Sequence, residues 1–147
     1  MDKNKNNQPI WNNRIKKNSS NLFQEIGSSI NIDKRLFKED IQGSLIHVEM
    51  LSKQKIISSK VKKKIIKGLK KIEKEIFQKK FIFKKKYEDI HMNIEKRLFQ
   101  LIGEDAGFIH TARSRNDQVI TDFKLWIKLS TKQLDKNLTK LIKTILK

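Results

Sequence analysis

Cysteine is absent from this 147-residue sequence, and proline and glycine are scarce, with one Pro and five Gly. The lack of cysteine excludes disulfides and thiolate metal sites and fits a reducing compartment. Too little Pro and Gly is present for a linker or a low-complexity polymer. No apolar run approaches the ~20 residues of a membrane span, and no apolar segment follows the polar N-terminus as in a secretory signal. We therefore expect a soluble cytoplasmic protein with one ordinary domain.

Acidic residues are also few, with 16 Asp and Glu against 34 Lys and Arg, which gives a net charge of +18. Such a charge can mark a nucleic-acid-binding protein. Only five of the 34 basic residues are Arg, although specific nucleic-acid readers rely on Arg for base edges and on aromatics for stacking. We interpret the excess as charged helix surface. A basic helical nucleic-acid-binding protein is kept as an alternative hypothesis.

Hydrophobic periodicity predicts helices along most of the chain. Apolar residues recur at intervals of three and four, as in helices that bury one face. The pattern predicts a helix over 33–51, a second helix capped by Ser58 or Ser59, and a third that stops at Gly103. A last apolar series predicts a bundle helix that is still running at Lys147. Its members are Ile120, Phe123, Ile127, Leu134, Leu138, Leu141 and Ile145.

The predicted fold class is therefore all-α, with three parts that differ in composition. Residues 1–21 are rich in Asn and Lys and are predicted to form a flexible N-terminal arm. Residues 22–109 are predicted to form an N-terminal helical domain. Residues 110–147 combine a polar segment with the first long helix of a central bundle, which we expect to be truncated because no stop signal ends it.

The polar segment 110–119, with the sequence HTARSRNDQV, has an unusual density of hydrogen-bond donors. Arg113 and Arg115 offer forked guanidiniums that match a carboxylate or phosphate bidentately. Asn116 and Asp117 are good N-cap residues for the long helix that follows, and the positive end of that helix favours an anion. We therefore predict an anion site where a loop enters a helix. The alternative is a capped helix start whose arginines pair with acidic side chains elsewhere.

Two earlier polar groups also suggest roles. In Glu88-Asp89-Ile90-His91 the acidic residues are predicted to lie in the first turn of a helix, where its dipole favours them. Asp89 and His91 could form an acid/base pair, or two ligands of a metal site whose third ligand is missing, but we favour a structural His–carboxylate hydrogen bond. Ser29 and Asp33 by themselves indicate two capping residues around a turn.

Together these segments resemble argininosuccinate lyase, within the fumarase/aspartase superfamily. Segment 110–119 is similar to the most distinctive segment of that family, and three further matches keep the same order along the chain. They are Trp11 with Arg14, residues 29–36 and residues 88–95. Asn12 and Asn13 depart from the family's Trp-Gly-Gly-Arg. The resemblance spans nearly the whole chain and concerns the N-terminal part of such an enzyme.

The resemblance implies a homotetrameric lyase of arginine biosynthesis that cleaves argininosuccinate to L-arginine and fumarate by β-elimination. It implies no metal and no organic cofactor, no specific nucleic acid and no membrane partner. Substrate binding is implied for Ser29, Arg115 and Asn116, with Asp33, Asp89, His91 and Arg113 as supporting candidates.

The resemblance also implies that no catalytic residue lies in this chain. The family's Thr-His pair and its Gly-Ser-Ser-x-Met-Pro loop belong to later sequence, so the isolated chain is expected to be inactive. Another fumarate-releasing lyase of the superfamily is the remaining alternative.

Overall fold

The structure is a computed structural model that describes residues 21–146. The predicted N-terminal arm up to residue 20 and the Trp11–Arg14 match lie outside the described residues, and Asn21 begins α1. The described part folds into six α-helices without a strand: α1 Asn21–Gly27, α2 Ile30–Asp33, α3 Phe37–Lys53, α4 Ser59–Phe77, α5 Ile90–Ile102 and α6 Arg115–Ile145. Short 3-10 helices connect them at Lys34–Leu36, Lys85–Tyr87 and Gly103–His110. The predicted all-α fold class is confirmed.

Helices α3, α4 and α5 pack together around the hydrophobic core. The apolar positions spaced by three and four residues are the ones that become buried, and in α4 these are Ile65, Leu69 and Ile72, with no exposed surface. Burying one such aliphatic side chain stabilises the fold by roughly 1.5–3 kcal/mol. The lysines of α4 lie on the other side of the helix, which agrees with the interpretation of a charged helix surface.

The ends of these helices follow from identifiable residues. Ser58 caps α4, because its Oγ accepts a hydrogen bond from the Val61 amide at 3.2 Å. Gly103 ends α5 as predicted, with a φ of 70° that residues with a Cβ rarely adopt. The helix predicted over 33–51 begins only at Phe37, since a 3-10 turn separates it from α2. That turn lets α2 place Ile30 in the core.

Helix α6 differs from the core helices α3, α4 and α5 because most of it stands away from the core. Its buried residues are Gln118 and Asp122, and every described residue beyond Asp122 is at least partly exposed. The apolar series predicted for a bundle is on this helix and is exposed, with Leu138 at 50% of its maximum. Among the described residues we find no helix whose length and hydrophobicity would suit a membrane crossing.

Candidate functional site

An open cleft of about 490 Å³ lies between the start of α5 and the segment that leads into α6. It is lined by Glu88, Asp89, Met92, Glu95, Gly107, His110, Arg113 and Arg115. Three carboxylates therefore share one cleft with two guanidiniums and an imidazole. Such a surface suits a ligand that carries charges of both signs.

Arg115 is held at the edge of this cleft by groups from two helices. Its Nε lies 3.3 Å from Asp89 Oδ2, and its Nη2 lies 3.9 Å from Glu95 Oε2. Its Nη1 donates to Gln118 Oε1 at 3.0 Å. Arg115 therefore pairs with acidic side chains, as in the alternative that we kept from the sequence. The side chain is still 30% exposed, so a ligand can reach the guanidinium.

His110 and Glu95 form a second pair in the cleft. His110 Nε2 donates to Glu95 Oε2 at 2.7 Å. Burial by itself would raise the pKa of Glu95, but the hydrogen bond and charge of His110, and then the charge of Arg115, lower it below its ordinary value. Glu95 therefore stays ionised and serves as an acceptor that orients the side chains of His110 and Arg115.

The loop before α6 is fixed to α3 by two further contacts. His47 Nε2 donates to the Thr111 carbonyl at 3.0 Å, and Arg113 Nη1 donates to Ser44 Oγ at 3.2 Å. Between them Ala112 adopts a φ of 53°, in the left-handed region. Arg113 thus anchors the loop as well as lining the cleft, which suits its predicted supporting role.

Helix α6 begins earlier than the sequence suggested. Its N-cap is Ser114, which has extended backbone angles and accepts a hydrogen bond from the Asn116 amide at 3.2 Å. The prediction of Asn116 or Asp117 as the cap is wrong, because Ser114, two residues before Asn116, already caps the helix by accepting a hydrogen bond from the Asn116 N–H. Asn116 instead lies exposed in the first turn, next to Arg115.

Ser29 and Asp33 lie beside the start of α5. The Ser29 amide donates to the Glu88 carbonyl at 2.9 Å, and Ser29 Oγ donates to Asp33 Oδ2 at 2.6 Å. Burial raises the pKa of Asp33 above its ordinary value, although the Ser29 hydrogen bond opposes this. Since Glu88 adjoins Asp89, the structure brings Ser29 next to the Asp89–Arg115 pair. Ser29 itself does not line the cleft.

The structure does not bring Asp89 and His91 together as an acid/base or metal pair. Asp89 precedes α5 as its N-cap, where Oδ1 accepts from the Met92 amide at 2.7 Å, so the acidic residues do not occupy the first turn. His91 is buried and donates from Nδ1 to Asp40 Oδ1 at 2.7 Å. Residues two apart at a helix start point in different directions, so Asp89 faces the cleft and His91 faces α3. The favoured structural hydrogen bond of His91 is present, with Asp40 as the partner.

Asp40, His91 and Asp122 form what we call the buried cluster, between α3, α5 and α6. Asp122 Oδ2 lies 3.6 Å from His91 Nδ1, and Gln118 Nε2 donates to Asp40 Oδ1 at 2.6 Å. Two carboxylates and an imidazole within 4.8 Å of one another could in principle hold a cation. The direct His91–Asp40 and Gln118–Asp40 bonds occupy this space, so we interpret the cluster as hydrogen-bonded groups and not as metal ligands.

Sequence reasoning missed Asp40, Gln118 and Asp122. Asp40 precedes its partner His91 by 51 residues, so no local spacing relates them. Gln118 and Asp122 are four residues apart, which places both on one face of α6. This polar face, which lies opposite the apolar series of α6, could have indicated from the sequence that Gln118 and Asp122 lie together.

The described residues form an all-α protein whose cleft is lined by side chains of both charges. Residues 13–147 match the family described as lyase, and the chain belongs to that family. It is 69% identical over 147 residues to the argininosuccinate lyase of Pelagibacter ubique (strain HTCC1062), a match that covers 100% of this chain and 32% of that protein. It is 51% identical over 139 residues to the argininosuccinate lyase of Campylobacter jejuni (strain RM1221), covering 94% of this chain and 30% of that protein.

These comparisons confirm the resemblance drawn from segments 88–95 and 110–119. The chain spans about a third of the length of the curated relatives that it matches. The comparisons give no support to a nucleic-acid-binding protein or to a lyase for another substrate. The division into residues 1–21, 22–109 and 110–147 is not tested by them and stays a prediction.

Proposed function

We propose that this chain supplies part of the substrate site of an argininosuccinate lyase, which cleaves argininosuccinate to L-arginine and fumarate by β-elimination. The partly exposed Arg115, held between Asp89 and Glu95, is the observation that carries the proposal. Argininosuccinate combines carboxylates with an amine and a guanidino group, so it requires partners of both charges. The cleft offers both, and the 69% identity to an argininosuccinate lyase supports the same conclusion.

The proposal assigns binding of a substrate carboxylate to Arg115 and Asn116, with Ser29 donating from the neighbouring turn. Asp89 and Glu95 hold the guanidinium in place before the ligand arrives, which reduces the entropy lost on binding. Arg113, Asp33 and His91 support this arrangement from behind. Ser29 can redirect its hydroxyl from Asp33 to a ligand, since a hydroxyl rotates freely.

The chemistry of elimination explains why such donors are useful. A base removes a proton beside a carboxylate, negative charge builds up on that carboxylate, and the guanidino group leaves with help from an acid. Fixed cations and amides that face the developing charge lower the barrier. We assign neither the base nor the acid to this chain, so it binds substrate without turning it over. In the proposal, the longer enzyme is a cytoplasmic homotetramer of arginine biosynthesis that needs no cofactor and no nucleic-acid partner.

A nuclear magnetic resonance titration of the purified chain with argininosuccinate tests the binding. We expect the amide signals of residues 29–33, 88–95 and 113–118 to shift at millimolar ligand. Replacing Arg115 with Lys removes the forked donor, and loss of one charge-assisted hydrogen bond of ~1.5 kcal/mol weakens binding about tenfold. Arg97→Lys is the matched control, because Arg97 is also ion-paired, with Glu75, but lies outside this cleft.

Three results would contradict parts of the proposal. If argininosuccinate shifts no signals around the cleft, or if Arg97→Lys weakens binding as much as Arg115→Lys, the site is wrong. Steady fumarate release by the chain alone would show that catalytic groups are present among these residues.

A further inference from the structure

Helix α6 is attached to the rest of the protein by polar groups and not by its apolar series. Its buried residues are Gln118 and Asp122, 3% and 0% exposed, and they lie one turn apart. Gln118 contacts Asp40 of α3, and Asp122 lies against Gly43 of the same helix. The position of the helix that carries Arg115 therefore depends on the charges and hydrogen bonds of the buried cluster.

Asp122 is the member of the buried cluster whose carboxylate lacks hydrogen-bond partners. Both of its carboxylate oxygens are buried, and neither has a hydrogen-bond partner among the described residues. A Cβ placed on Gly43 would lie 3.4 Å from Asp122 Oδ1 and 3.5 Å from Arg113 Nη2, so the carboxylate lies near the guanidinium without a hydrogen bond to it. A buried carboxylate that lacks donors is costly when ionised. The geometry therefore favours a protonated Asp122 beside an ionised Asp40.

We propose that Asp122 is a positioning residue that, when protonated beside the ionised Asp40, holds α6 on α3, and that its ionisation releases the helix and displaces Arg113 and Arg115. The docking of α6 goes beyond the proposed function and does not depend on it. Only the consequence for substrate binding rests on the proposed function.

Burial and the charges around Asp122 set the pH at which this carboxyl group ionises. Burial, and then the charge of Asp40, raise the pKa of Asp122 to about 7, against the opposing effects of His91 and Arg113. Burial lowers the pKa of His91, but its hydrogen bond and charge interaction with Asp40 raise it overall. The charged groups that act on the cluster come from α3, α5, the loop and α6: Asp40, His91, Asp89, Arg113 and Arg115.

The direction of the pH effect follows from these shifts. Folded Asp122 keeps its proton up to a pH of about 7, whereas in the unfolded chain it loses the proton near its ordinary pKa of 3.8. Between these values the folded state binds more protons, so stability falls as the pH rises. The stabilisation from His91, whose folded pKa is raised, is also lost as the pH rises through that pKa. Asp40 has a lowered pKa, so its contribution is lost only in acid. Docking of α6 should therefore weaken as the pH rises toward about 7 and be weakest above that value.

Hydrogen exchange of the backbone amides at 118–125 tests the proposal at α6 itself. A local measurement is needed because Asp33 also has a raised pKa and would contribute to the pH dependence of global stability. We compare exchange rates at about one pH unit below and one above the pKa of Asp122, after correction for the pH dependence of the intrinsic amide exchange rate. We expect about tenfold faster exchange at the higher pH in the wild type. Asp122→Asn, which keeps the shape but cannot ionise, should lose this acceleration. Asp135→Asn, an exposed carboxylate on the same helix, is the matched control and should keep it.

Equal acceleration in Asp122→Asn and in the wild type would overturn the proposal. Should that variant fail to fold, a carboxyl-carbon titration of the wild type decides: a midpoint near 7 for Asp122 supports the proposal, and one near 3.8 overturns it. Slower exchange of the same amides on addition of Zn²⁺ would also overturn it, in favour of a bound cation. None of these measurements uses argininosuccinate, so a failure here is distinguishable from failure of the proposed function.

Discussion

At the scale of single residues, Arg97 and Arg115 differ in how completely their guanidiniums are bound by carboxylates of the protein. Arg97 donates from Nε and Nη2 to the two oxygens of Glu75, both at 2.8 Å. The hydrogen bond to Arg97 lowers the pKa of Glu75, and the same bond raises the pKa of Arg97. Arg115 meets its carboxylates at 3.3 and 3.9 Å, without a bidentate match. A ligand carboxylate can therefore improve the contacts of Arg115, whereas it would have to break those of Arg97.

Gly68 is a residue at which we expect a single methyl group to destabilise the fold. A Cβ built there overlaps Leu98 Cδ1, and Leu98 is fully buried. Alanine gains up to ~1 kcal/mol in helix propensity, but overpacking a well-filled core costs about 1–3 kcal/mol. We expect Gly68→Ala to lower the free energy of unfolding by about 1 kcal/mol in urea denaturation.

Gly107→Ala provides the comparison, since a Cβ at Gly107 meets nothing within 4 Å. We expect that variant to unfold at nearly the wild-type urea concentration. A Gly68→Ala protein as stable as the wild type would show that Leu98 can move aside without cost.

The individual helices show which local signals were sufficient. Periodic apolar residues located α3, α4 and α5 because burial of one face requires that spacing. Gly103 marked the end of α5 because it alone adopts the required φ without strain. The start of α6 was misplaced because Ser114, Asn116 and Asp117 are all competent caps, and only the path of the loop selects among them.

The choice between Ser58 and Ser59 as the cap of α4 can be tested directly. Only Ser58 accepts a hydrogen bond from the Val61 amide. Ser58→Ala should therefore lower the free energy of unfolding by ~1 kcal/mol. Ser59→Ala replaces the first helical residue by a better helix former and should have little effect or a slightly stabilising one. Thermal and urea unfolding of both variants measure the difference, and the reverse order of stability would assign the cap to Ser59.

At the scale of the whole molecule, the apolar residues along α6 form an exposed stripe on the described part of the chain. Phe123, Trp126, Leu134 and Leu138 are each exposed by 43% or more. A contiguous apolar stripe on a helix is typical of an interface. The net charge of +18 opposes self-association at low ionic strength, but salt screens that repulsion. Association through α6 should therefore be visible at moderate salt.

Sedimentation velocity over a range of concentrations measures this association. We expect the average mass of the wild-type chain to rise with concentration. Leu138→Glu, which places a charge within the stripe, should suppress the rise, whereas Asn137→Glu adds the same charge beside it and should leave most of the rise intact. A wild-type chain that stays monomeric at every concentration would contradict the expectation.

The sequence by itself determined the helical class and the buried faces of α3, α4 and α5, because these depend on spacing within one element, and it singled out the segment around Arg115 by its local density of hydrogen-bond donors. Only the tertiary structure decided which side chains meet. Asp40, His91 and Asp122 belong to three helices, and their contacts join residues that are far apart in the chain. The same is true of the Arg115–Asp89 pair and of the choice of Asp40 over Asp89 as the partner of His91. Packing of α3, α5 and α6 fixes these contacts, and no local pattern encodes how three helices pack.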